Sequence, residues 1–308
     1  FRKENLPSPD IVIGVYEAPP PVFPFSFKIK QPDPGKIKIK EEYVDLLDGR
    51  IVRKRLTNVV FIFGNGENLA VGPCLANLNQ IVNFINNRYI EYKLLDGYLL
   101  GHAAAAIYDG KGLAIAGFSG RGKSTLLLHL MSNGAKFVTN DRLMFKEVKG
   151  KLRMFGVPKW PRINPGTILN NSSLHFLLSE SEREKFLKLS SRELWQLEQK
   201  YDVFIDEVFG EDKIALKGDM DVLIILNWQP SCEEKTEIKR VDIKNRIDLL
   251  QAFIKSPGLF FLPFKDEEID LSPGCYVNLL SKTLILEITG AVDFSWAVKV
   301  CLTFLKEV

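Results

Sequence analysis

Gly117-Phe118-Ser119-Gly120-Arg121-Gly122-Lys123-Ser124 fits the pattern G-x-x-x-x-G-K-[ST]. Glycines at those positions let successive backbone N–H groups turn inward around phosphate oxygens. A helix opening near Lys123 adds the positive end of its dipole, and Lys123 itself brings a mobile point charge. The Ser124 hydroxyl is a hard oxygen suited to Mg²⁺. Gly117, Ser119, Gly120, Arg121, Gly122, Lys123, Ser124 and Thr125 are therefore the candidate nucleotide-binding residues; the plainer alternative is a glycine-rich turn that only joins a strand to a helix. Such a loop needs an acid for its metal, commonly at the end of a buried strand. The apolar stretch 222–226 ends at Asn227-Trp228, without a carboxylate, whereas the strand after the loop's helix ends at Thr139-Asn140-Asp141. Asp141 is the candidate metal ligand, against the plainer reading of a turn or capping aspartate.

The elements that must carry these residues follow from periodicity. Residues 98–108 and 113–116 are apolar and flank Asp109-Gly110-Lys111-Gly112, a turn sequence that favours positive φ, so an antiparallel hairpin leads into the loop. With Tyr108 opposite Leu113, His102 falls opposite Ser119, beside the phosphate cradle; a satisfied core histidine is the alternative. An antiparallel neighbour to the loop's strand argues against an all-parallel sheet and for a mixed one. A helix over 123–133, closed by Gly134, and a strand over 136–139 complete the unit.

Around that unit, Pro19, Pro20, Pro21 and Pro24 precede the alternating Lys28-Ile29-Lys30 and Lys36-Ile37-Lys38-Ile39-Lys40, which predict a β-rich opening. Helical spacing of Leu78, Ile81, Val82, Phe84, Ile85 and Tyr89 predicts a helix over 76–92 with that stripe in the core. The pairs Ser179/Glu182 and Ser190/Glu193 have capping-box spacing and predict a helical insertion at about 179–200. A buried strand over 222–226, a helix over 242–255 ended by Ser256-Pro257-Gly258, a strand over 284–288 and a closing helix from about Asp293 follow. The domains expected are 1–95, β-rich with one helix, and 96–308, the P-loop domain.

The 308 residues are 46% hydrophobic and 26% charged, enough for a large core. A net charge of +3 gives no reason to expect a nucleic-acid partner. Apolar runs are too short for a membrane helix, and Cys74, Cys232, Cys275 and Cys301 lack metal or disulfide spacing, which suits a reduced cytoplasmic protein.

His102, the P-loop and the pair Asn140-Asp141 resemble, at the same separations, the catalytic domain of HPr kinase/phosphorylase, and more closely the HPr-kinase-related "kinase B" proteins, over about 99–228. The resemblance implies an α/β fold, a mixed sheet with an embedded P-loop like that of phosphoenolpyruvate carboxykinase. It implies ATP and Mg²⁺ as cofactors and transfer of the γ-phosphoryl group to a hydroxyl of a small metabolite or a protein serine; the alternative is an ATP-binding sensor without transfer. In that family the first aspartate is the general base, held by the histidine, and the second helps bind metal. Here the first position is Asn140, which cannot accept a proton at neutral pH, so either Asp141 takes the base role or Asn140 only orients the acceptor. Catalytic candidates are thus Asp141, His102, Lys123 and Asn140, and metal candidates Ser124, Asp141 and, by resemblance to a further family acid, Glu198. The segment 159–167 resembles one typical of the kinase B relatives, and its Lys159, Arg162 and Asn164 are candidates to hold an anionic acceptor; a rigid inter-domain turn is the equal alternative. Pro273-Gly274-Cys275-Tyr276 does not reproduce the Pro-Gly-Arg-Asn stretch of the HPr enzymes, so recognition of HPr is not carried over. A homo-oligomer is compatible with this reading.

Overall fold

A computed structural model describes residues 8–32, 37–197, 199–230, 232–262 and 269–307. The chain divides into two compact units, Phe1–Asp96 with Pro257–Ile269, and Gly97–Ser256 with Asp270–Val308.

In the first unit six strands lie in the order Gly14–Glu17, Glu67–Gly72, Val60–Gly64, Gly49–Lys54, Glu41–Asp45, Lys28–Ile29. The first pair is parallel and the rest are antiparallel. No strand forms over 37–40, and Ile37 is 95% exposed; Lys36 lies outside the described residues. The Lys/Ile alternation supplies a strand's period without a partner, whereas Glu41 and Glu42 pair across the ladder with Lys54 and Arg53 and hold the next segment as strand. The helix runs Leu78–Leu95, and its expected stripe divides: Ile81 and Phe84 are buried, Leu78 is 58% exposed, and Val82 and Ile85 are also exposed. The buried seam instead includes Arg88, Ile90 and Leu94, because one helix on a small sheet covers only a narrow strip. Phe260 belongs to this core, its ring 5.6 Å from Phe63 and 5.5 Å from Phe61. Leu259 O accepts from Arg50 Nη1 at 2.8 Å and Leu262 N donates to Glu91 Oε1 at 2.9 Å. The second unit is therefore discontinuous, where the sequence predicts an unbroken 96–308.

The second unit is mixed α/β. Its six-stranded sheet has the order Lys136–Thr139, Ala103–Tyr108, Lys111–Gly117, Val222–Leu226, Leu284–Thr289, Glu237–Arg240. Lys111–Gly117 is antiparallel to Ala103–Tyr108 and parallel to Val222–Leu226, as the hairpin argument requires of a mixed sheet. A second, antiparallel sheet contains Lys217–Asp219, Lys151–Gly156, Leu143–Val148 and Leu99–Gly101. Alternation sorts the hairpin's two faces. Ala104, Ala106, Leu113 and Ile115 join the leucines of the Lys123–Ser132 helix, while Ala103, Ala105, Ala114 and Ala116 join Leu143, Phe145 and Met154 of the second sheet.

Two local expectations change. The hairpin turn is Asp109-Gly110 alone, with φ of 49° and 77°, so Tyr108 pairs with Lys111 and not with Leu113. Two successive positive φ values are the signature of the two-residue I′ turn, which matches strand twist and needs no further loop residues. The helix expected over 242–255 is a short 3₁₀ helix, Ile247–Ala252. Asp242 accepts from Lys244 N and from Asn245 Nδ2, an alternative to helical bonding, and Arg246 forks between Asp248 and Glu287. Both capping boxes form, on helices Glu180–Leu187 and Ser191–Gln196.

Candidate active site

The Lys111–Gly117 strand ends at the glycine-rich loop, and the Lys123–Ser132 helix begins at the last two positions of the pattern, lysine and serine. Gly120 and Gly122 have φ of 78° and 85°, a left-handed backbone that side chains disfavour. A Cβ at Gly122 would also stand 2.6 Å from the Phe294 ring, whereas one at Gly120 would meet only Trp195 Nε1, at 3.8 Å. The loop is braced from the neighbouring strand's end: Arg121 Nη1 donates to Trp228 O at 2.6 Å, and Trp228 Nε1 donates to Arg121 O at 2.8 Å. The Arg121 guanidinium thus meets the protein's own backbone. Lys123 is buried, and its Nζ donates to Gly117 O at 2.6 Å and Phe118 O at 3.4 Å. Burial pulls its pKa down to about 8; Asp141 counters this and Lys255 adds to it.

The shorter turn places position 117, not Ser119, opposite His102 in the hairpin's register. The change is even, so it does not by itself exchange the two faces. His102 sits where the chain passes from Leu99–Gly101 to Ala103–Tyr108; its N–H donates to Phe253 O at 2.6 Å. Its Nε2 lies 3.2 Å from Asp141 Oδ1. Asp141 follows the Lys136–Thr139 strand, in a turn held by Thr139 Oγ1, which donates to Arg142 O at 3.0 Å and Val157 O at 3.3 Å. Arg142 Nε lies 3.7 Å from Asp141 Oδ2. Desolvation pushes the Asp141 carboxyl up, but the His102 hydrogen bond, then Lys255, the His102 charge and Arg142, together hold it well below the usual carboxylate range.

Asn140 Oδ1 is buried and has no hydrogen-bond partner. Asn164 Oδ1 is in the same condition, just before the Pro165–Leu169 helix, whose Thr167 Oγ1 is 2.8 Å from Thr125 Oγ1. Lys159 is pulled below its ordinary pKa by burial first and by Arg142 next, and Asp141 opposes this. Arg162 Nε pairs with Asp202 Oδ1 at 3.0 Å, both half-exposed, across the short ladder of Arg162–Ile163 with Tyr201–Asp202. Glu198 lies outside the described residues.

The structure thus brings His102, Lys123, Asp141 and Lys159 into one electrostatic neighbourhood, while Arg121 and Arg162 are engaged with Trp228 and Asp202. Lys255 belongs to this neighbourhood and no sequence motif marks it; Gly101 bridges Ile254, and Lys255 N donates to Leu100 O at 3.4 Å. Only an expected strand-like pairing of 254–255, in place of a helix, would have pointed to it. Among the described residues no group of three or more His, Cys, Asp or Glu could hold a metal ion. The Ser124 hydroxyl and the Asp141 carboxylate suit an ion that takes its remaining ligands from phosphate and water, as Mg²⁺ does. Among the described residues no helix is long and apolar enough to cross a membrane.

No family model matches the chain. An HPr kinase/phosphorylase of Clostridium tetani (strain Massachusetts / E88) is 28% identical over 138 residues, 42% of this chain and 42% of that protein. The chain therefore spans less than half the length of that relative in this match. Among solved structures, the HPr(Ser) kinase/phosphatase from Coxiella burnetii matches with a TM-score of 0.36 and 12% identity, covering 68% of this chain and 97% of that one. On the sequence match the chain is similar to HPr kinases, the family that the spacing of its histidine, loop and acid resembles.

Proposed function

We propose that the second unit is a P-loop kinase domain of the HPr kinase type, which binds ATP with Mg²⁺ on residues 117–125 and transfers the γ-phosphoryl group to a hydroxyl. The observation that carries this reading is the His102–Asp141 contact at 3.2 Å, standing within electrostatic reach of the buried Lys123. A bare turn between a strand and a helix needs neither a buried lysine nor a carboxylate held by a histidine.

The residues divide the work by their chemistry. Backbone N–H groups of the loop and Lys123 would hold the β- and γ-phosphates, and Ser124 and Asp141 would hold the metal, which would supply charge neutralisation on those phosphates. A carboxyl whose pKa is depressed is a firm anion and a weak base, so Asp141 serves the metal better than the acceptor's proton. Asn140 Oδ1, buried with its hydrogen-bonding capacity unspent, accepts from the acceptor hydroxyl and aims its oxygen at phosphorus. The new P–O bond forms as the bond to the leaving ADP breaks, and the acceptor's proton is lost late, to a phosphoryl oxygen or solvent. This fits a loose transition state, which depends on positioning more than on a base. Lys159, Arg142 and Lys255, with Asp141 and Asp202 as the acids acting on them, suit an anionic small acceptor over a protein serine.

A second reading is supported by the same Asn140: an ATP-binding sensor that does not transfer phosphate. Incubation with γ-labelled ATP and a panel of hydroxyl acceptors separates the two. Transfer is expected, and Lys123→Ala is expected to reduce it by at least about 100-fold. Full transfer by that variant would overturn the assignment, and ATP binding with no transfer to any acceptor would favour the sensor.

A further inference from the structure

The segment 157–167 joins the turn of Asp141 to the helix that follows the glycine-rich loop, and both of its ends are fixed. At one end Val157 N donates to Arg142 O at 3.1 Å and Val157 O accepts from Thr139 Oγ1 at 3.3 Å. At the other, Thr167 Oγ1 meets Thr125 Oγ1 at 2.8 Å in the first turn of the Lys123–Ser132 helix. Between them Pro161 O accepts from Val203 N at 2.9 Å, and Pro161 and Pro165 stiffen the chain. The segment therefore spans from the acid to the loop's helix, alongside the place where an acceptor has to stand.

Two amide oxygens here are buried without a hydrogen-bond partner: Asn140 Oδ1, in the turn of Asp141, and Asn164 Oδ1, in the spanning segment. Asn164 occupies the N-cap position of the Pro165–Leu169 helix, where an asparagine oxygen ordinarily accepts from a backbone N–H of the first turn, yet its side chain makes no cap bond. A buried acceptor left unsatisfied destabilises a fold and calls for a bound molecule that donates to it. At a site for a hydroxyl acceptor the donors are the ligand's own hydroxyls. One is the reacting group on Asn140, and Asn164 takes another, which a molecule with hydroxyls on neighbouring carbons supplies at fixed spacing.

Charge adds a third requirement. Lys123 is acted on by Asp141 and Lys255, whereas Lys159 is acted on by Arg142, Asp141, Arg162 and Asp202, so Asp141 stands between two groups of cations. In the second group Arg162 is matched by Asp202 at 3.0 Å. Lys159 and Arg142, with a share of Asp141, leave a positive surplus suited to a carboxylate or a phosphate.

We infer that the acceptor is an anionic polyol: one hydroxyl on Asn140 receives the phosphoryl group, a second donates to Asn164 Oδ1, and the anionic group lies against Lys159 and Arg142. The inference rests on the phosphotransfer reading and names its substrate class. The acceptor oxygen bonds to the γ-phosphorus as the bond from that phosphorus to the oxygen of the leaving ADP breaks, and the hydroxyl proton passes to a phosphoryl oxygen or solvent.

Transfer from γ-labelled ATP with Mg²⁺ by the full chain, measured for five classes of acceptor, tests it: aldonates of three to six carbons, alditol monophosphates, the matching neutral alditols, glycolate and a serine-containing peptide. The best anionic polyol should have a kcat/KM at least about tenfold above its neutral alditol, the size of one hydrogen bond to a charged group. It should stand at least about 100-fold above glycolate, which keeps an anion and one hydroxyl but offers nothing to Asn164. Whether the aldonates or the phosphates lead distinguishes carboxylate from phosphate. Asn164→Ala should narrow the preference over glycolate to within about threefold. The readout is a ratio, so a smaller folded fraction lowers both rates and leaves it unmoved. Alditols, glycolate or the peptide used as well as the best anionic polyol, or a preference that Asn164→Ala does not alter, would overturn the inference while sparing the kinase. Transfer to none of the five classes would overturn both.

Discussion

Each unit buries a cation, and the two are answered in different ways. Arg88 of the first unit is 3% exposed; it pairs with Glu91, donates to Phe260 O and lies 4.2 Å over the Phe63 ring. Lys123 of the second unit is 9% exposed, and its hydrogen bonds go to two neutral carbonyls of its own loop, while Asp141 is held by His102. A carboxylate in direct contact closes the site of Arg88 and ties the helix Leu78–Leu95 to the segment Pro257–Ile269. Carbonyls are weaker partners that a mobile anion can outcompete. Burial with a bound carboxylate makes a charge structural; burial among carbonyls, in a backbone curl with glycines at positive φ, leaves the charge to be used.

That contrast can be broken by experiment, beginning where the expected effect is largest. Asp141→Asn should lower phosphoryl transfer by about 10²–10⁴-fold, the range for a group acting on charge in the transition state. Its unfolding midpoint should fall modestly, because the folded state favours the ionised carboxyl while its half exposure screens that gain, so transfer is compared well below that midpoint. Near-normal transfer by this variant would remove the carboxylate from the functional half of the comparison. Arg88→Met should show the converse pattern. It leaves Glu91 in a buried setting without its cation, which costs about 3–5 kcal/mol when a buried pair is broken. Urea unfolding should register that loss, with ATP affinity unchanged; an unshifted midpoint would mean that Arg88 is not a structural charge.

A smaller effect follows from pH. On the proposed reading Lys123 holds phosphate in its protonated form, and its pKa in the free chain is lowered to about 8 by burial. A bound polyanion stabilises the protonated form and raises that value, so binding takes up a proton above pH 8. ATP affinity should be flat below about pH 8 and fall by up to tenfold per unit above it, until the bound-state pKa is reached. Titration in buffers of different ionisation enthalpy measures the proton uptake directly; an affinity independent of pH from 7 to 9.5 would contradict it.

The parts of this molecule that local chemistry dictates could be read from sequence. The glycine pattern, the two capping boxes, the hairpin into the loop and the resulting mixed sheet all depend on residues near one another in the chain. The hairpin places His102 beside the loop but does not identify its partner: the resemblance has the histidine hold the first position of the pair, here Asn140, whereas His102 Nε2 lies 3.2 Å from Asp141 Oδ1. What depends on a choice between two local conformations, or on distant partners, could not be read. The two-residue turn changed the register because Asp109 tolerates a positive φ. Side-chain bonding by Asp242 replaced a helix with a 3₁₀ turn, which placed Lys255 near Asp141. Phe260 left the second unit because its ring completes an aromatic core formed more than 150 residues earlier. Helical spacing identified the stripe of Leu78–Leu95 but not which of its residues the sheet would cover.

The central claim is that the curl around Lys123 holds the phosphates of a nucleotide. Calorimetric titration of ATP with Mg²⁺ into the full chain and into Lys123→Ala tests it most directly. Saturable one-site binding by the wild type, weakened by at least about 100-fold in the variant, is the predicted result, since a lysine–phosphate contact buried this far is worth several kcal/mol. Indistinguishable binding by the two proteins, or none by the wild type, would contradict it.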